Sequence, residues 1–212
     1  MTSLKEKAYD VIKQKIIYGV YKQGEALNEA QLIKELGIGR TPIREAFLNL
    51  ASEKFVHILP RRGIVVTSIN AEDIARLLEL RKVLEVYYAK KLLKRGDLTE
   101  VDHLKRIIKE REKGSKDSDA QKVFEADMQF HLGVLKVLGD PFLIEILQKI
   151  YDRLARIWFF ADRRRPKVPL ITQDHEKILA AIKSGDAELL ASKIAEHIDH
   201  AKENLLSVLM EE

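Results

Sequence analysis

A single β-prone stretch interrupts an otherwise helix-patterned chain, and its position decides the architecture. Phe55-Val56-His57-Ile58-Leu59 and Ile64-Val65-Val66-Thr67 flank Pro60-Arg61-Arg62-Gly63, the pattern of a two-stranded hairpin with a basic tip. Three helical segments precede it. Leu4, Ala8, Val11, Ile12, Lys15 and Ile16 recur at helical spacing over residues 4–18, with Gly19 as a stop. Tyr21-Lys22-Gln23-Gly24 reads as a turn. Asn28 is an N-cap for a second helix ending at Leu36-Gly37. Pro42 sits in the first turn of a third helix that runs through Ser52, where a missing N–H costs nothing. Three helices followed by a basic-tipped hairpin is the plan of a winged helix-turn-helix.

Beyond Ile69 only helical periods remain. The sequence predicts a helix capped by Asn70 and running through Leu93 to Arg95-Gly96, and another from Thr99 to near Gly114. A third, opened by Ser118 and Gln121 as a capping box, extends to Leu138. Asp140-Pro141 opens a helix to about Ala161, and helices over 171–183 and 187–210 are separated by Ser184-Gly185-Asp186. The fold class expected is mainly α. A winged helix-turn-helix over residues 1–68 is followed by an all-α bundle of about six helices over 69–212.

Charge supports a division of labour. The 11 Lys and Arg of residues 1–67 exceed their 7 Asp and Glu by four, which is the whole net charge of +4. A positive excess confined to the head is expected of a segment that contacts phosphate. Hydrophobic content of 46% supports a packed core, and the absence of cysteine rules out disulfides and thiolate metal sites. Lys5, Glu6, Lys7 and Asp10 leave no apolar core of the secretory-leader kind, and no apolar run approaches membrane-spanning length, so a cytoplasmic location is expected.

In the third helix Arg40 and Arg44 lie four apart and project from one face, with Thr41 between them. Gly39 lets backbone approach DNA closely, while Ile43, Ala46, Phe47 and Leu50 form the opposite, packing face. Arg61 and Arg62 stand at the hairpin tip, where Gly63 is free to take a positive φ. An ordinary amphipathic helix with solvated arginines explains each arginine singly but not the ordered set.

Four of the six histidines, at 131, 175, 197 and 200, fall in the helical part. Asp127 and His131 share one helix face, and His175 and His197 lie on two further helices, so the four can meet in a bundle core. Three imidazoles and a carboxylate suit zinc, and by ligand type also nickel, manganese or iron. The same residues equally fit surface or hydrogen-bonded histidines with no metal, and spacing does not choose between these. His200 is the decoy, because it follows His197 by three. A hydrolytic metalloenzyme is the rival function, with Asp174 or Glu196 as general base. Adjacent residues on a helix diverge by about 100°, which turns both away from the proposed ligands.

The stretch from Gly24 to Gly63, with Leu32 through Gly37, Arg40-Thr41-Pro42 and Arg44-Glu45-Ala46, resembles the winged helix of GntR-type transcription regulators. The resemblance implies operator contacts by Gly39, Arg40, Thr41 and Arg44, with Arg61, Arg62 and Gly63 at the adjoining minor groove. Ala30 stands where members often carry Arg, and Gly39 where Ser or Thr is common. Residues 70–212 are similar to the effector domain of the FadR subfamily in its metal-dependent (FCD) branch. The similarity rests on Asp127-(x)₃-His131, Gly139-Asp140-Pro141, Asp174-His175-Glu176-Lys177-Ile178 and Glu196-His197-Ile198. It implies Asp127, His131, His175 and His197 as ligands of a divalent metal, zinc first. It also implies a small carboxylate effector held by Arg81 of the Leu80-Arg81-(x)₃-Glu85 segment, with Arg153 and Arg156 as weaker candidates. Trp158, Phe159 and Phe160 read as core or dimer contacts. The implied molecule is no enzyme but a homodimeric, DNA-binding repressor.

Overall fold

The computed structural model describes residues 3–61, 63–95, 106–107, 120–136, 139–164 and 172–210. The chain divides into two compact units at Asn70–Ala71.

The first unit contains helices α1 (Leu4–Ile17), α2 (Glu29–Leu36) and α3 (Arg40–Ser52), and strands β1 (Ala26–Leu27), β2 (Val56–Leu59) and β3 (Gly63–Val66). Helices α1 and α2 begin where a side chain satisfies their free N–H groups. Ser3 and Glu6 form a reciprocal capping box on α1. Asn28 Oδ1 accepts from Gln31 N at the start of α2, and Gly37 ends that helix in the left-handed region, φ 63°. Ala8, Ile12 and Ile16 of α1 pack with Ile43, Ala46, Phe47 and Leu50 of α3, and Leu32, Ile38, Phe55, Val56 and Val66 close the core.

Not every residue of the α1 period is buried: Leu4 is exposed and Lys15 half-buried, while Lys13, outside that set, is drawn into the interior. Lys13 Nζ donates to Tyr9 Oη at 2.6 Å and Glu53 Oε2 at 2.9 Å, so its burial is compensated by a tie to the end of α3.

The sheet has three strands rather than the expected two. Their order is β1-β3-β2, antiparallel throughout, with Ala26 opposite Val65 and Leu59 opposite Gly63. At two residues β1 is too short to show alternation. It is held by neighbouring backbone bonds, Gly24 N to Val66 O and Val66 N to Glu25 O, both 2.9 Å. At the hairpin tip Gly63 has φ 78°, and Arg61 also adopts the left-handed region, φ 64°.

The second unit is helical: α4 (Ala71–Arg95), α5 (Ala120–Lys136), α6 (Pro141–Arg164), α7 (Thr172–Ser184) and α8 (Ala187–Met210). Helix α6 passes the expected end at Ala161 and continues to Arg164, two residues short of Pro166. Trp158 and Phe159 are core residues that pack with Phe124, and Phe160 is half-buried. Helix α4 lies along α8 and also meets α5 and α6, while α7 packs on α8. The interior therefore receives side chains from all five. Of the expected helix from Thr99 to Gly114 only residues 106 and 107 are described, and both are helical; the Ser118 cap, Leu138 and Arg62 lie outside the described residues. Among the described residues no helix is long and apolar enough to cross a membrane.

Candidate functional site

Two groups of side chains stand out, one in each unit. In the first, Gly39 is the N-cap residue of α3 and offers no side-chain cap, and a Cβ there would meet nothing within 4 Å. Arg40, Thr41 and Arg44 are all exposed at the start of α3. Both arginines converge on Glu29 in the first turn of α2. Arg40 Nε lies 3.3 Å from Glu29 Oε1, and Arg44 Nε lies 3.1 Å from each carboxylate oxygen. Arg61 projects from the hairpin beside Gly63 and is exposed. Solvent-facing cations on a helix N-terminus and a hairpin tip are available to a polyanion. Sequence spacing does not predict the pairing with Glu29, because residues 11 and 15 apart give no periodic signal.

The second group is buried. Asp127 and His131 of α5, His175 of α7 and His197 of α8 bring four ligand atoms within 4.8 Å of one another. His131 Nε2 lies 3.0 Å from His197 Nε2 and 3.3 Å from His175 Nε2, and His175 Nε2 lies 3.1 Å from Asp127 Oδ1. Nitrogen and oxygen donors bound at roughly 2.1 Å to one ion stand about 3 Å from their nearest neighbours, so the spacing fits a shared cation. Two of the rings also have a lone pair to offer. Burial pushes His175 down to about 3 and His197 down to about 4, so both rings are neutral at ordinary pH. The Nδ1 atoms of His175 and His197 are buried with no hydrogen-bond partner.

Around this cluster stand carboxylates. Glu85 Oε2 faces His131 Nδ1 at 2.8 Å, while Glu85 Oε1 accepts from Arg81 Nε and from Tyr151 Oη, both at 2.7 Å. Burial alone would raise the Glu85 carboxyl, but Arg81 and then His131 and Tyr151 hold it far below the usual carboxylate range. Arg81 is itself 4% exposed, its guanidinium 4.7 Å from the Tyr151 ring centre, and its Nη2 has no hydrogen-bond partner. On the other side Asp174 accepts from His200 Nδ1 at 2.8 Å and stands 3.8 Å from His197 Nδ1, too far for a hydrogen bond. The His197 and His200 imidazoles keep Asp174 below its ordinary range in spite of burial.

His200 is thus outside the four-donor cluster. Asp174 is buried on the Nδ1 side of His197, and Glu196 pairs with Lys193 at the surface. Neither carboxylate occupies the position a general base beside the cluster would need. Arg156 is buried and its guanidinium is pushed down to about 10, first by burial and then by Arg153. Glu85 and Tyr151 had no role in the sequence reading. Glu85 could have been suspected from its i, i+4 relation to Arg81, but Tyr151, 66 residues from Glu85, could not.

Comparison with known proteins assigns both halves. The family described as "Bacterial regulatory proteins, gntR family" matches residues 4–66, and the "FCD domain" matches residues 76–200. The uncharacterized HTH-type transcriptional regulator YdhC of Bacillus subtilis (strain 168) is 27% identical over 96% of this chain and 91% of its own length. The gluconate operon transcriptional repressor of the same organism is 26% identical, over 93% and 83% respectively. In fold the chain is similar to E. coli McbR/YncC, with a TM-score of 0.83 at 20% identity over 98% of this chain and 99% of that one. A GntR regulator structure from Rhodococcus sp. RHA1 gives 0.81 at 21% identity, over 96% and 97%. The chain belongs to the GntR family of bacterial transcriptional regulators, which are not enzymes, and joins that family's N-terminal helix-turn-helix to an FCD domain.

Proposed function

We propose that this regulator is a cytoplasmic homodimeric repressor of the FadR subfamily whose FCD domain holds one divalent metal, zinc first, and a small carboxylate effector. One observation carries the reading: a buried three-histidine, one-aspartate cluster in the same bundle core as a buried Arg81 that has a guanidinium N–H to spare. A desolvated, unpaired N–H is costly, and an anionic oxygen would satisfy it. The metal would be held by Asp127, His131, His175 and His197, and when bound it supplies a Lewis-acidic point for a carboxylate oxygen. Arg81 would orient the anion, and the buried walls would exclude water.

At the DNA end Gly39, Arg40, Thr41 and Arg44 would meet the operator in the major groove, with Arg61, Arg62 and Gly63 at the minor groove. A dimer would read two half-sites. The side chains of the metal and effector site come from α4, α5, α7 and α8, so filling it favours one packing of those helices. It changes operator affinity only by the effector's differential affinity for the two packings. The relatives named as gluconate operon repressors support repression as the direction of control.

The test is calorimetric titration of the metal-loaded protein with a panel of small mono- and dicarboxylates, paired with operator binding. At least one acid is expected to bind and to alter operator affinity. Arg81→Met should weaken its binding by about 10- to 100-fold, the worth of a charged hydrogen bond, with metal content unchanged. No acid altering operator affinity, or Arg81→Met binding like the wild type, contradicts the effector reading.

A further inference from the structure

Glu85 is a buried carboxylate with three donors around it, and those donors belong to two different parts of the site. Its two oxygens divide the work. Oε1 takes the Arg81 Nε and Tyr151 hydroxyl protons, and Oε2 faces only His131 Nδ1 among the contacts described. An ionised carboxylate accepts and cannot donate, so the proton of the 2.8 Å contact must sit on His131 Nδ1. In the neutral ring Nε2 is then a lone pair, aimed where the Nε2 atoms of His175 and His197 also converge.

We infer that Glu85 is the positioning residue of the site, fixing His131 as its Nδ1–H tautomer while anchoring Arg81 with its other oxygen. One side chain thereby sets both the lone pair offered to a metal and the direction of the guanidinium offered to an anion. This rests on the metal and effector reading above only for its consequence. The tautomer itself is a property of the protein without metal.

The near-isosteric Glu85→Gln separates the two oxygens. An amide has one acceptor end and one donor end. Two donors, one of them cationic, compete for the acceptor end, so the carbonyl stays with Arg81 and Tyr151 and the NH₂ turns to His131. His131 Nδ1 must then accept, and the ring proton moves to Nε2, into the centre of the cluster. The mutation therefore inverts the tautomer without emptying any volume. Tyr151→Phe removes one hydroxyl from Glu85 but leaves the His131 contact intact, and serves as the control.

The experiment is ¹⁵N NMR of histidine-labelled, chelator-treated full-length protein at neutral pH, together with zinc affinity from chelator competition. Circular dichroism verifies folding of each variant. The wild type and Tyr151→Phe should show His131 as the Nδ1–H tautomer, and Glu85→Gln should show Nε2–H. Zinc affinity should fall by about 10- to 100-fold in Glu85→Gln and by less than about threefold in Tyr151→Phe, as expected when the group that orients a histidine ligand is lost. An Nε2–H tautomer in the wild type overturns the inference, as does an unchanged tautomer in Glu85→Gln. A tautomer switch in a protein that takes up no zinc leaves the positioning role standing and removes the metal reading instead. The two failures are therefore distinguishable.

Discussion

At the scale of single residues, burial separates side chains that sequence treats alike. Leu48 and Leu50 are two apart on α3, the first 61% exposed and the second fully buried. Leu50→Ala should cost about 2–5 kcal/mol of stability through the cavity it leaves, and Leu48→Ala within about 0.5 kcal/mol, as read from urea unfolding. Equal losses would contradict the packing described. The period of α3 made that contrast legible in advance. It could not reveal that Lys13 is the buried cation of α1, because a lysine is drawn inside only by a partner, and Glu53 lies 40 residues away. The histidines show the same limit. Spacing on α8 was enough to set His200 apart from His197, but not to reveal that His200 meets Asp174, 26 residues away, at the edge of the cluster.

At the scale of elements, caps and stops were the most readable feature because they depend on neighbours within four residues. The Asn28 cap of α2 is such a case, and Asn28→Ala should remove about 1 kcal/mol, visible as a lower melting temperature of the DNA-binding unit. An unchanged melting temperature would mean the cap bond contributes nothing. The third helix makes a functional prediction. Arg44→Ala should weaken specific operator binding by about 10-fold or more, the cost of a lost bidentate base contact, in an anisotropy titration at fixed salt. Binding within twofold of wild type would remove α3 from the proposed interface. The element that sequence missed, β1, illustrates the opposite case. Its two residues have no period, and only backbone pairing with β3 makes them a strand.

On the scale of the whole molecule, the sequence switches from one β-hairpin to uninterrupted helical period after Ile69, and the structure divides into two compact units at Asn70–Ala71. The convergence of Asp127, His131, His175 and His197 was accessible as a possibility, since three helices of a bundle can aim inward together. The outer ring of Glu85, Tyr151 and Asp174 was not, because it depends on which helix faces which. Two-unit behaviour has a thermodynamic signature. Zinc at about 100 times its Kd should stabilise the helical unit by about 2.7 kcal/mol and leave the transition of the DNA-binding unit in place. Calorimetric scans with and without the metal check this, and a shift confined to the N-terminal transition would refute it.

The most direct test of the central claim is the metal content of the full-length protein, purified without added metal or chelator and measured by elemental analysis. The wild type should hold one divalent ion per chain. The His131→Ala/His175→Ala variant should contain none while keeping its helical circular dichroism spectrum. A wild-type protein that carries no metal and takes up none on dialysis against zinc would contradict it, as would a double variant that retains a full equivalent.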